Sequence, residues 1–271
     1  MSIFSGSDKS TSGQSYIDPE ALGLIDVNRE FKTHLGIEDT LFNRFSAKEV
    51  QELLEQSGMF EMLKFRGFQE TKLEIHGISE VDNRIYIKTE ENETLVHMRL
   101  KFSDFLFKKI NESFPMIYID WLLSQNVRLG KLGEKKKLFE GQEYPGLNIM
   151  NEITSFIRLL SGKIGAAGAF NIPEYFHDAV LFHKNFRYLS PEKEGEFRAL
   201  LRCFKKENLR SLSGAIHSGK ILDRQTSAVY SWSYGEMVSA TNPYLEKSLF
   251  DEQYDSMVAR ISETREFSRI D

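Results

Sequence analysis

The chemically most suggestive segment is Gln142-Glu-Tyr-Pro-Gly-Leu-Asn-Ile149, which lies between an apolar run and a segment of helical periodicity. A glycine-containing turn that leads into a helix exposes unpaired backbone N–H groups and the positive end of the helix dipole. Residues 146–149 therefore form a candidate phosphate site. A Pro-Gly junction is more often an ordinary turn, and this second interpretation stays open.

Asp120 is the most informative single residue, because it interrupts the apolar run Met116-Ile-Tyr-Ile-Asp-Trp-Leu-Leu123. A carboxylate in such a run must be paired or hydrated. A structural role, as the partner of Arg84, Arg99 or a backbone amide, is the alternative to a functional one.

His177 and His183 are six positions apart on a predicted helix, about 240° around its axis, so they cannot bind one metal ion from the same face. No cysteine pair and no His-Glu-x-x-His motif is present either. We therefore expect no metal site.

The elements that must position these residues follow from periodicity. Ser46-Ala-Lys-Glu49 is a capping box that predicts a helix over 47–57 and its continuation over 59–65. Alternating apolar residues between 73 and 102 predict antiparallel strands, with turns at 82–83 and 91–92. The run at 116–123 predicts a central strand covered on both faces. Apolar residues at helical spacing predict a helix that follows residue 147: Met150, Ile153, Ile157, Leu160 and Ile164.

The remaining sequence predicts a strand at 165–171, a helix after Pro173 and a short strand at 186–189. Helices are expected at 192–206 and 207–218, a hairpin at 221–232, and one helix over 244–266. We predict an α+β fold, with a three-layer mixed sheet, helices on both faces and extra helices at both ends. The expected organisation is a disordered tail at 1–15, an α+β domain at 16–190, and a mainly helical extension at 191–271 packed on it.

Composition narrows the functional classes. The chain has 271 residues, 35 Lys and Arg against 40 Asp and Glu, and therefore a net charge of −5. Without a general positive field, we expect neither nucleic acid nor an anionic membrane as a partner. One cysteine, Cys203, excludes an intramolecular disulfide and fits a cytoplasmic protein. No apolar stretch reaches the roughly 20 residues that span a bilayer.

The order of strand, glycine turn, helix, strand, helix and strand over residues 116–189 resembles the acyl-CoA-binding half of the GNAT acetyltransferase superfamily. The resemblance implies that the turn amides bind the cofactor pyrophosphate and that the pantetheine arm lies between two splayed strands. In the family pattern, Gly146 matches one glycine, Asn148 stands at the second, and Gln142 lies one residue too far upstream. The implied cofactor site is then Gln142, Gly146, Leu147, Asn148 and Ile149, with acetyl-CoA or another acyl-CoA as cofactor.

The same resemblance implies Asp120 as the general base towards a small-molecule or protein amine. The family's phenol, which protonates the departing thiolate, is absent from Phe182-His-Lys-Asn-Phe186. His183 can replace it, because an imidazole with an ordinary pKa of about 6.5 suits proton donation, although a histidine held by structural contacts is the alternative. Tyr175 and Tyr188 are further nearby phenols.

Two further departures affect the interpretation. Residues 124–141 form a longer loop than the family usually has, and more elements follow residue 190. The cations of this loop, Arg128, Lys131 and residues 135–137, either approach the cofactor phosphates or form a solvated surface. The alternative function is therefore a non-catalytic binding or regulatory protein on a degenerate scaffold. In either case a homo-oligomer is compatible with the sequence.

Overall fold

The computed structural model describes residues 39–79, 81–130 and 143–270. In this part of the chain the fold is α+β. The predicted tail at 1–15, residues 131–141 of the predicted loop, and Gln142 lie outside the described residues.

Ten strands are described. They are β1 Lys72–Ser79, β2 Asp82–Lys88, β3 Thr94–Phe107, β4 Glu112–Ser124, β5 Gly168–Asn171, β6 Arg187–Tyr188, β7 Ile221–Asp223, β8 Ala228–Val229, β9 Met237–Ala240 and β10 Phe267–Arg269. Seven of them form a mixed sheet in the order β1-β2-β3-β4-β5-β9-β6, and the other three form a small sheet in the order β10-β7-β8. All neighbouring pairs are antiparallel except β4 and β5, which are parallel. The apolar run at 116–123 thus belongs to the middle strand of the main sheet, as predicted.

The described part of the chain also contains eight α-helices. They are α1 Ala47–Gln56, α2 Met59–Phe65, α3 Met150–Ile164, α4 Phe176–Phe182, α5 Pro191–Cys203, α6 Leu209–His217, α7 Pro243–Leu249 and α8 Glu252–Thr264. None of the described helices is long and apolar enough to cross a membrane.

The main sheet is covered on both faces, because alternate residues of β4 enter different apolar clusters. Ile117 and Ile119 belong to a large core that also contains buried residues of α1 to α6. Met116 belongs to a smaller core with residues of α7 and α8, and Tyr118 packs against that core. This alternation follows from the two-residue period of a strand.

Local sequence explains where several elements begin and end. The predicted capping box is present, since Ser46 and Glu49 hydrogen-bond reciprocally at the start of α1. The single helix predicted over 244–266 is instead two helices. Asp251 accepts a hydrogen bond from the N–H of Tyr254 and so begins α8 as a new helix. The turn expected at 82–83 is displaced, because Asn83 already belongs to β2 and accepts from the N–H of Phe42.

Candidate functional site

Asp120 lies at an irregularity in the middle strand. The register between β3 and β4 shifts between Arg99 and Leu100, and Asp120 is the extra residue of a β-bulge. A bulge bends its strand and redirects side chains. The Asp120 carboxylate forms ion pairs with Arg99 and with Lys101, whose Nζ lies 3.1 Å from Oδ2. The ion pair with Arg99 is one of the structural alternatives considered for Asp120, and the carboxylate is held by two cations.

Tyr118, two residues before Asp120, supplies a phenol that the sequence analysis missed. Its side chain hydrogen-bonds to Asp120, and its ring stacks on Phe170 of β5 at a centroid distance of 4.7 Å. Burial raises the pKa of Tyr118, and the charge and hydrogen bond of Asp120 raise it further. The phenol therefore stays protonated at neutral pH. The spacing of two along a strand was the available signal, because it places both side chains on one face.

β4 extends beyond the carboxyl end of β5. Their pairing ends at Ile119 and Asn171, the last residue of β5, whereas β4 continues to Ser124. The part of β4 beyond Ile119 that β5 does not pair, which we call the β4–β5 opening, begins at the bulge formed by Asp120. Asn171 is 3% exposed, and its Oδ1 has no hydrogen-bond partner among the described residues. Such an unsatisfied atom is costly unless water or a ligand completes it.

The turn before α3 has the conformation expected of a tight junction. Asn148 has φ +56°, in the left-handed region that asparagine tolerates better than most residues. No side chain caps α3, and Ile153 is the first described residue of this helix whose N–H finds a backbone acceptor. The amides of the first turn are consequently available to an anion.

This turn lies against the end of β4. The N–H of Asn126 donates to the carbonyl of Pro145 at 2.7 Å, and a Cβ on Gly146 would lie 3.6 Å from the carbonyl oxygen of Ser124. Asn126 is 8% exposed, and its Oδ1 also has no partner within the described residues. The N-terminus of α3 thus lies beside the carboxyl end of β4.

The side chains of Leu147 and Ile149 are buried in the large apolar core, so only their backbone could contact a ligand. Arg128, the described cation of the long loop, lies elsewhere. Its guanidinium donates to the carbonyl of Gly67 and lies over the ring of Phe68. It therefore contacts the segment between α2 and β1.

His183 belongs to a different cluster from Asp120. Its Nε2 lies 2.7 Å from Oε1 of Glu194, and its ring packs on Phe197 of α5. Glu194 is fully buried, and it also accepts from Arg198 and from the N–H of Tyr188. Burial acts to raise the pKa of Glu194, but these hydrogen bonds and the charge of His183 outweigh it, so the pKa is lowered. The histidine is thus held by structural contacts.

A cluster of titratable groups follows β5. His177 lies against Ser213 and Asp178, at 3.1 Å from the hydroxyl and 3.5 Å from the carboxylate. Burial, with a smaller effect from His217, lowers the pKa of His177 to about 4. Burial and then the charge of Glu174 raise the pKa of Asp178 to about 6. Both pKa shifts are towards the neutral form of the side chain, and at pH 7 His177 is neutral whereas Asp178 is still mostly ionised.

The structure brings part of the predicted site together. Asp120 and the turn at Gly146 both lie near the carboxyl end of β4, whereas His183 packs on α5. Tyr175 packs beside the rings of His177 and His217, within the cluster after β5. Comparison with models of protein families gives no match, and comparison with curated proteins finds no relative.

Proposed function

We propose that this chain is an acyl-CoA-dependent N-acyltransferase that transfers an acyl group from CoA to an amine. The observation that carries the proposal is the uncapped N-terminus of α3 beside the end of β4, where β4 extends past the last residue of β5. A feature that can bind phosphate then adjoins the β4–β5 opening, along which we place the extended arm of the cofactor. The resemblance of residues 116–189 to the GNAT superfamily supports the same arrangement.

The residues at the N-terminus of α3 fit a phosphate group. The N–H groups of Met150, Asn151 and Glu152 find no acceptor among the described residues, whereas the unsatisfied Oδ1 of Asn126 is itself an acceptor and needs a donor such as water. The carboxylate of Glu152, in the first turn of α3, repels an anion. Hydrogen bonds from the free N–H groups must therefore supply most of the attraction for the phosphate. Bound acyl-CoA would supply an acyl group activated as a thioester.

Asp120 is the proposed base, and Tyr118 is the proposed proton carrier. Arg99 and Lys101 form ion pairs with the Asp120 carboxylate, and the Tyr118 phenol is protonated and hydrogen-bonded to it. A proton from the acceptor amine could pass to Asp120, directly or through water. His183 remains the second proposed donor, with the restriction that Glu194 already occupies its Nε2.

A non-catalytic binding or regulatory role is the second candidate function. It is favoured by the same ion pairs, because ion pairs of this kind also serve a purely structural role in proteins. On this interpretation the α3 turn still binds CoA or another phosphate ligand, but no acyl transfer follows.

Calorimetric titration with acetyl-CoA tests the proposal at its first step. We expect saturable binding at one site, followed by release of free CoA when amines are added. Binding without release in a screen of primary amines would favour the regulatory role. No binding at millimolar acetyl-CoA would overturn the acyltransferase proposal and would leave the regulatory role only with a phosphate ligand other than CoA.

The variant Gly146→Val locates the site. A branched side chain at the turn should weaken acetyl-CoA binding at least tenfold, about 1.4 kcal/mol. Gly162→Val is the matched control, because Gly162 lies farther along α3 and a Cβ at that position would have no atom within 4 Å. Unfolding without ligand separates lost stability from lost binding. Equal affinity of Gly146→Val and the parent would exclude the turn as the phosphate site.

A further inference from the structure

A groove lies between α1, α2 and the start of β1. Because β1 is an edge strand of the main sheet, strands β2 and β3 lie between it and the β4–β5 opening. The groove has a volume of about 560 Å³, within the range of sites that bind ligands in proteins. None of its lining residues belongs to the proposed acyltransferase site.

The floor of the groove is apolar. Phe60, Phe68 and Leu73 line it, and all three also pack on or within the large core. The floor is thus continuous with the core. Phe65 on α2, which lies outside the lining of the groove, leaves a further apolar side chain 79% exposed. Apolar surface of this kind, when rimmed by polar groups, typically marks an interaction site.

The rim is acidic. Three glutamates line it, Glu55, Glu61 and Glu70, against one lining cation, Lys64, and the guanidinium of Arg128 lies 6.0 Å from the centroid of the Phe68 ring. The Glu70 carboxyl also hydrogen-bonds to Glu90, and this bond and the charge of Glu70 raise the pKa of Glu90. The three carboxylates of the rim therefore outnumber these two cations. Such a field attracts cations and repels nucleic acid and anionic lipid surfaces.

We propose that this groove binds a basic peptide segment of a partner protein, with an apolar side chain on the phenylalanine floor and lysine or arginine against the glutamates. Charge complementarity selects this occupant, because each basic residue gains an attraction that an acidic or neutral segment lacks. The proposal stands independently of acyl transfer.

The probe is a fluorescein-labelled peptide Lys-Leu-Lys-Phe-Lys, titrated with the full chain and followed by anisotropy. We expect saturable binding that weakens at least fivefold between 50 and 300 mM NaCl. A Glu-Leu-Glu-Phe-Glu peptide should not bind, and replacing Leu and Phe of the basic peptide by Gly should also weaken binding at least fivefold.

The double variant Glu61→Gln, Glu70→Gln should reduce affinity at least fivefold. Glu52→Gln on α1, an exposed residue outside the groove, is the matched control and should leave affinity unchanged. All three are surface changes that preserve side-chain size. Equal affinity of the double variant and the control would overturn the proposal, as would self-association of the chain that the double variant abolishes, since the occupant would then be a second copy.

Discussion

At the residue scale, Asp120 combines a structural and a proposed chemical role. Asp120→Asn keeps the size of the side chain but leaves Arg99 and Lys101 without their carboxylate. We expect a loss of about 1–3 kcal/mol in the free energy of unfolding. If Asp120 also accepts the amine proton, turnover should fall about 100-fold with acetyl-CoA affinity nearly unchanged.

Urea unfolding and steady-state kinetics separate the two roles. Asp104→Asn, at an exposed position on β3, is the control and should change neither quantity. Full stability together with full activity in Asp120→Asn would contradict both roles.

Tyr118 gives a second test at this scale. Tyr118→Phe removes the hydroxyl that bonds to Asp120 but keeps the ring that stacks on Phe170. We expect a loss of about 1 kcal/mol in stability and about a tenfold fall in turnover, with unchanged cofactor affinity. Tyr234→Phe, at a side chain 69% exposed, is the comparison. Turnover that falls equally in both variants would remove Tyr118 from the mechanism.

The sequence could predict those features of the site that depend on local sequence, but not the contacts between distant elements. Asp120 with Arg99 was predictable as one alternative, because a carboxylate in an apolar strand needs a partner. The left-handed backbone conformation of Asn148 was also predictable, because asparagine adopts it more readily than most residues. The pairing of His183 with Glu194 was not, since it joins α4 to α5 through packing that no local pattern encodes.

At the element scale, strong periodicity predicted α3 and the middle strand within a few residues. β9 was not predicted, since its four residues are too short to show a period and are stabilised by pairing with β5 and β6. The hairpin of β7 and β8 was predicted near its observed position. Elements whose stability comes from distant partners are the ones that sequence periodicity misses.

The irregular segment at residues 230–236, between β8 and β9, is held by Lys193 of α5. Its Nζ lies 4.0 Å from the centroid of Trp232 and 3.2 Å from the hydroxyl of Ser233. Trp232 in turn donates from its ring N–H to the carbonyl of Glu174. Lys193 therefore links this segment to α5, and Trp232 links it to the loop after β5.

Lys193→Met keeps the length of the side chain but removes the cation, so Trp232 should become more mobile and more exposed. In a Trp121→Phe background Trp232 is the sole tryptophan, and its acrylamide quenching constant should rise about twofold. Lys247→Met, at an exposed position on α7, is the control. Identical quenching in both variants would show that Lys193 does not hold the segment.

At the scale of the whole molecule, His177 and Asp178 give the stability of the fold two opposed pH dependences. The pKa of His177 is about 4 in the folded chain and 6.5 ordinarily. Between these two pH values His177 is protonated in the unfolded chain but neutral in the folded chain. The free energy of unfolding therefore falls as the pH drops from 6.5 to 4. The pKa of Asp178 is about 6 in the folded chain and 3.8 ordinarily, so as the pH rises Asp178 ionises in the unfolded chain before it does in the folded chain. The free energy of unfolding therefore falls as the pH rises from 3.8 to 6.

Single variants separate the two contributions. In Asp178→Asn the contribution of Asp178 is removed, so stability relative to the parent should increase with pH between 4 and 6, with a slope well below about 1 kcal/mol per pH unit, because the Asp178 side chain is 38% exposed and partly screened by solvent. In His177→Gln the contribution of His177 is removed, so the relative slope should be negative and larger, about 1 kcal/mol per pH unit. Urea midpoints at pH 4, 5 and 6 measure both slopes, and differences from the parent cancel the background from groups such as Glu194. Parallel pH profiles for the parent and both variants would show that this pair does not couple proton binding to folding.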